Sequence, residues 1–248
     1  QVSISGATSL PLTVAGNLLS TKFNLGVSTV NFTATDYKGN TSACSFSVTV
    51  NDDDKPLITC PASVTVSAGA LCTALPGTGF TASATDNCTL AATPISWNIS
   101  GATTGNGNGA SPSGPTATAF NLGTSVVNFT ATDNAGNTRS CSAVVVVRDI
   151  TVPTVTCPTN NNITVTLTGT PGNVTANITP AGSATLVSAG SCGVVLTYPA
   201  PTAADNCGSV TLPTVQLLSG VGYSNNFYQY SGTYTAVYQA QDAAGNVS

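Results

Sequence analysis

The stretch Phe120 to Cys141, FNLGTSVVNFTATDNAGNTRSC, decides the fold. Val127, Phe129 and Ala131 alternate with Asn128, Thr130 and Thr132, which is the period of a strand with one face in a core. Asp133 and the NAGN after it form a turn signal, and CSAVVVV, Cys141 to Val147, continues as the next strand. The same motif stands 97 residues earlier as FNLGVSTVNFTATD, Phe23 to Asp36, and that offset also links Cys44 to Cys141 and Cys60 to Cys157. A repeated strand pair is therefore the unit of this chain.

A third, more diverged copy follows. TYTAVYQAQDAAGN, Thr233 to Asn246, aligns with VVNFTATDNAGN, and the DNC of Asp86 to Cys88 returns at Asp205 to Cys207, 119 residues on. The gap from Cys60 to Cys72 is 12 residues and that from Cys157 to Cys192 is 35, so repeat three carries 23 extra residues there. Within them, NITVTL and NVTANI flank the turn residues of Pro171 to Asn173, which predicts an added β-hairpin. The chain divides into a partial repeat at 1–51 whose first strands are missing, a complete repeat at 52–149, and a repeat at 150–248 with the insertion near 160–185 and its last strand missing. VSISG, Val2 to Gly6, aligns with the interior of repeat two, so the sequence is expected to be an excerpt of a longer repeated polypeptide.

Within repeat two, PLITCP and SVTVSA read as a kinked first strand, CTALPGTGFTASATD as a second and PISWNISG as a third. TGNGNGASPSGP then reads as a Gly/Asn/Pro-rich loop before the strand pair of the opening motif.

Composition narrows the function. Only 6% of residues are charged, the nine acids are all Asp, and His, Glu and Met are absent. Histidine catalysis is excluded, no GxSxG is present, and Asp53 and Asp54 are neighbours in a linker rather than walls of a cleft, so the chain is expected not to be an enzyme. The bases Lys22, Lys38, Lys55, Arg139 and Arg148 are too scattered to bind nucleic acid, which needs clustered cations to displace counterions. The longest apolar run, Ala143 to Val147, falls far short of the ~18 residues of a membrane span. Abundant Thr and Val with few helix formers point to an all-β protein.

The succession ITCP, a lone Cys, DNC, FNLGTSVVNFTATDNAGNTRSC, a Val-rich strand and an Asp-containing junction resembles the hyalin repeat, or HYR, family of immunoglobulin-like extracellular modules. The resemblance spans repeat two fully, most of repeat three and the second half of repeat one. Phe120-Asn121-Leu122-Gly123 stands where that family often has Phe-Pro-x-Gly. It implies tandem immunoglobulin-like β-sandwich repeats forming an elongated rod, extracellular and held at a cell surface, as in giant adhesin and stalk proteins of Bacteroidota. The implied function is a structural segment of a filament or adhesin stalk that provides spacing and adhesion. Its partners would be neighbouring repeats of the same polypeptide or filament, with glycans or a host or substratum surface engaged through other regions. Two further readings stay open: a polymerising filament subunit completed by strand exchange between neighbours, and a carbohydrate-binding module of a secreted protein. The latter would draw on the aromatic patch at Phe227 to Tyr230, whereas Trp97 is expected in the core.

Eight cysteines without histidine, at repeated places, read as disulfides formed in an oxidising compartment. Four cysteines in one repeat allow three pairings, and the sequence does not choose among them. Under the implied topology the preferred set is Cys60 with Cys72, Cys88 with Cys141 and, in repeat three, Cys157 with Cys192. Cys44 and Cys207 would then pair outside the fragment.

The aspartates recur at three places: the D-x-x-G-N turns at Asp36, Asp133 and Asp242, the DNC segments at Asp86 and Asp205, and the junctions at Asp52, Asp53, Asp54 and Asp149. In the implied sandwich these places meet at one pole. Asp52, Asp53, Asp54, Asp86 and Asp133 would there supply oxygen ligands for Ca²⁺. The competing reading is turn capping, with Gly39, Gly136 and Gly245 at positive φ. The second junction retains only Asp149, which argues against a calcium ion at every joint.

Overall fold

The computed structural model describes residues 1–13, 21–112, 118–159, 162–170, 173–181, 185–190, 193–197, 199–219, 223–224, 227–228 and 235–248. The chain is all-β, with no α-helix among the described residues. Repeat one contributes β1 (Val2–Gly6), β2 (Leu10–Thr13), β3 (Gly26–Thr35) and β4 (Thr41–Val50), hydrogen-bonded in the order β2-β1-β3-β4.

Repeat two contributes β5 (Leu57–Thr59), β6 (Val64–Ser67), β7 (Thr73–Ala74), β8 (Ser83–Thr85), β9 (Leu90–Gly101), β10 (Gly105–Asn108), β11 (Phe120–Asn121), β12 (Gly123–Asp133) and β13 (Thr138–Arg148). Its main sheet runs β10-β9-β12-β13-β6, and the short pairs β5-β8 and β7-β11 stand beside it. Val127, Phe129 and Ala131 of β12 are fully buried, as the alternation requires, together with Ile95 and Ile99 of β9 and Ala143, Val145 and Val147 of β13. Ile58, Phe80, Ala82 and Phe120 from the second layer join the same cluster. Burial of such an apolar set is the main stabilising term for a domain of this size.

The first strand is kinked as the sequence predicts. Its first half, β5, pairs antiparallel with β8, and its second half, β6, crosses to pair parallel with β13. The expected single strand from Cys72 to Asp86 is instead two pieces, β7 and β8, in different pairs. Buried Pro76 lacks the N–H that a ladder needs, and Gly77 turns the chain at φ 94°. The Gly/Asn/Pro-rich segment also departs from expectation, because Gly105–Asn108 joins β9 as an edge strand. Gly107 lies on the Trp97 ring, where a Cβ would meet Cζ2 at 2.5 Å, so only glycine lets the strand lie that close. Trp97 itself is half-buried and packs against the core cluster.

Repeat three contributes β14 (Thr154–Thr156), β15 (Thr164–Thr170), β16 (Asn173–Thr179), β17 (Thr185–Gly190), β18 (Gly193–Thr197), β19 (Thr202–Ala204), β20 (Val210–Ser219), β21 (Tyr223–Ser224), β22 (Phe227–Tyr228) and β23 (Thr235–Asp242). The insertion forms the expected hairpin, β15 against β16, in register from Thr164↔Thr179 to Thr170↔Asn173. The remaining pairings are β14-β19, β20-β23 and the sheet β17-β18-β22-β21.

The preferred disulfide set does not hold. Cys60 is bonded to Cys141, with Cα atoms 5.9 Å apart, so neither Cys60 with Cys72 nor Cys88 with Cys141 forms. Cys141 lies inside β13, opposite Phe129, and both it and Cys60 pack on the core, which places β13 against the end of the first strand. Cys44, Cys88 and Cys157 are exposed, Cys72 is half-buried and Cys207 is buried. Cys192, the expected partner of Cys157, lies outside the described residues.

Candidate cation site at the repeat junctions

Each D-x-x-G-N turn is built the same way. Asp133 Oδ1 accepts the Asn137 backbone N–H and Oδ2 accepts Asn137 Nδ2, both at 2.8 Å, and Gly136 takes the positive φ of 94° that closes the loop. Asn246 binds Asp242, and Asn40 binds Asp36, through the same pairs of bonds. The asparagine also reaches the incoming chain: Asn137 Nδ2 donates to the Asp52 carbonyl at 2.9 Å, and Asn246 Nδ2 donates to the carbonyls of Asp149 and Thr151 at 3.3 and 3.2 Å. One side chain thus closes the turn and holds the linker against it.

These contacts gather three carboxylates at each junction. Carboxylate oxygens of Asp52, Asp86 and Asp133 lie within 4.8 Å of one another, and so do those of Asp149, Asp205 and Asp242. Asp53 and Asp54, expected among the ligands, stand outside the first cluster. Asp54 accepts a 2.9 Å bond from Asn87 Nδ2, and Asp53 is exposed on the rim of a cleft that Leu25, Val50 and Asn134 also line. The second junction does not rest on Asp149 alone, since repeat three supplies Asp205 and Asp242. The signal was present in the sequence: every member of the first cluster has a counterpart in the second, at offsets of 97, 119 and 109 residues.

Turn capping and cation binding are not exclusive here, because Asp86, Asp205 and Asp149 each cap with one oxygen and keep the other free. Asp86 Oδ2 accepts the Cys88 N–H at 2.9 Å and Asp205 Oδ2 accepts the Cys207 N–H at 2.8 Å, while Oδ1 of each is buried with no hydrogen-bond partner. Asp149 repeats the pattern, with Oδ1 capping Thr151 N–H at 3.1 Å and Oδ2 buried and unpartnered. A buried carboxylate oxygen left without a partner is costly unless a cation or donor meets it.

The charge state favours a cation as well. Burial, the largest single influence, raises the Asp133 carboxyl, but the side-chain and backbone bonds from Asn137 together with the backbone N–H groups of Gly136 and Ala135 hold the group below its ordinary value. Asp242 is lowered in the same way by Asn246, against the same effect of burial. Both are therefore ionised at neutral pH, beside two further carboxylates each. The donors are all oxygen, which suits a hard divalent ion such as Ca²⁺ rather than zinc or copper.

Of the aromatic patch weighed for sugar binding, Phe227 and Tyr228 form the backbone of β22, while Tyr230 lies outside the described residues. No protein-family model matches the chain.

Proposed function

We propose that this chain is a segment of a long extracellular filament or cell-surface adhesin stalk, built from immunoglobulin-like repeats of the HYR kind, whose joints are stiffened by a divalent cation. The observation that carries this reading is the same three-aspartate cluster at two successive junctions, each combining one linker aspartate with two from the following repeat. An ion bridging them would fix the linker to the pole of that repeat and restrict bending between neighbours. Spacing at a surface needs such joints. Neighbouring repeats are the partners this assigns, with any ligand-binding region elsewhere in a longer polypeptide.

Extracellular calcium modules work at dissociation constants of about 0.1–1 mM. A hundredfold excess over the dissociation constant stabilises the bound form by about 2.7 kcal/mol, which raises the melting temperature by several degrees. Calorimetry of the chain in calcium and in chelator should show that rise, and Asp86→Asn combined with Asp205→Asn should abolish it. An identical melt in the two buffers would refute cation-stiffened joints.

A further inference from the structure

The DNC segment of repeat three does more than cap its own turn. Cys72 Sγ donates to the Asn206 carbonyl at 2.8 Å, across 134 residues of sequence. In return Asn206 Nδ2 donates to the Gly69 carbonyl at 3.3 Å, and Cys207 Sγ approaches the same carbonyl at 3.8 Å. Asn206 Nδ2 also lies 3.1 Å from Cys207 Sγ. Two cysteines from successive repeats therefore share one small polar knot, with Gly69 and Asn206 holding them side by side.

The surrounding chain is arranged to keep them there. The turn from Gly69 to Thr73 closes on itself through Gly69 N–H to Thr73 O at 2.9 Å and Cys72 N–H to Gly69 O at 3.0 Å. Ala68 N–H binds Arg148 O at 2.8 Å, which ties this turn to the last residue of β13, just before the linker. Cys72 is the one described non-glycine residue at positive φ, 58°. A side chain in that conformation is held by its surroundings rather than by local preference.

We infer that Cys72 and Cys207 form a disulfide across the joint between repeats two and three. Cys207 is buried, out of easy reach of an oxidant in solution. It is therefore a poor first attacker. Cys72 is the more open of the two. Its thiolate attacks a small disulfide oxidant, releasing one oxidant thiol and leaving a mixed disulfide on Cys72. Cys207 sulfur then attacks Cys72 Sγ and expels the second oxidant thiol. Two cysteine thiols are oxidised, one oxidant disulfide is reduced, and the two cysteine protons end on the released thiols.

The consequence reaches along the repeats. Cys88 occupies in repeat two the place that Cys207 holds in repeat three. Cys207 is thus a joint cysteine, while Cys60 and Cys141 serve the core of their own repeat. This replaces the expectation that Cys207 pairs outside the fragment.

The inference rests on the stalk reading only for its oxidising setting, so the test runs on the intact chain with chelator present throughout. The chain is equilibrated with oxidised glutathione, its free thiols are blocked with N-ethylmaleimide, and it is digested with trypsin without reduction. Cleavage after Lys38, Arg139 and Arg148, with Lys55 protected by Pro56, gives fragments 39–139, 140–148 and 149–248. We expect 39–139 joined to 140–148 through Cys60–Cys141 and also to 149–248. In Cys72→Ala and in Cys207→Ala the link to 149–248 should vanish while that to 140–148 persists, and Cys88→Ala should keep both. Release of 149–248 from the oxidised wild-type digest, or its retention in Cys72→Ala, would overturn the assignment. Neither outcome bears on the cation, whose failure would appear in the calcium melt alone.

Discussion

Asn137 shows how much one uncharged side chain decides at a joint. It closes the turn through Asp133, holds the Asp52 carbonyl and helps to lower the Asp133 carboxyl below its ordinary value. Asn137→Ala should lower stability by about 1–3 kcal/mol in urea unfolding, since it leaves partly buried acceptors unpaired. Asn40→Ala, whose turn is exposed, should cost much less. The acid limb follows the same logic. Asp133 and Asp242 have folded values below the unfolded 3.8, so their contribution is complete above that value and is lost as pH falls through the lowered ones. Without Asn137, burial is less opposed and Asp133 should protonate at higher pH. The acid-unfolding midpoint of N137A should therefore move upward, which a pH titration followed by circular dichroism reads directly.

Strands of nearly identical sequence meet different fates in this chain. Phe129 and Ala131 are fully buried, whereas their counterparts Phe32 and Ala34 are half-buried and exposed. Repeat two places β5, β8 and β11 over its main sheet. The described part of repeat one consists of a single four-stranded sheet, so Phe32 stacks on a half-exposed Phe46. The edge strand β10 depends on glycine in the same local way. Gly107→Ala would drive a methyl into the Trp97 ring, displacing either β10 or the ring at a cost of about 1–3 kcal/mol. Trp97 is the only tryptophan, so its fluorescence should shift to the red in G107A as solvent reaches the ring. An unchanged spectrum would mean that β10 does not lie over it.

Across the whole molecule, covalent and polar links act at two ranges. The Cys60–Cys141 bond closes a loop of 81 residues inside repeat two. The chain-entropy estimate gives about 4–5 kcal/mol for a loop of that size, with measured losses of native disulfides at 2–5 kcal/mol. Replacing both cysteines by alanine should lower the denaturation midpoint of repeat two accordingly. A double variant as stable as wild type would show that the core alone suffices. Between repeats, the aspartate clusters gather each linker onto the repeat that follows, and the knot of Cys72 with Asn206 and Cys207 joins repeat two to repeat three.

Much of this was legible because it is local or periodic. Alternation in Val127, Phe129 and Ala131 specifies a half-buried strand whatever surrounds it, and turn residues flanked by alternating threonines specify the β15–β16 hairpin. The positive φ at Gly39, Gly136 and Gly245 follows from the D-x-x-G-N pattern alone. Pairing between distant residues was not legible. Three connectivities were compatible with four cysteines, and only the packing of β13 against the end of the first strand selects Cys60 with Cys141. Asp53 and Asp54 looked equal to Asp52 in sequence, yet the path of the linker directs only Asp52 into the cluster. The chain by itself determined its strands, turns and repeats, because those depend on neighbours a few residues away. Which aspartates share a site and which cysteines meet depends on how strands, loops and linkers far apart in sequence pack together, and only the tertiary structure decided that.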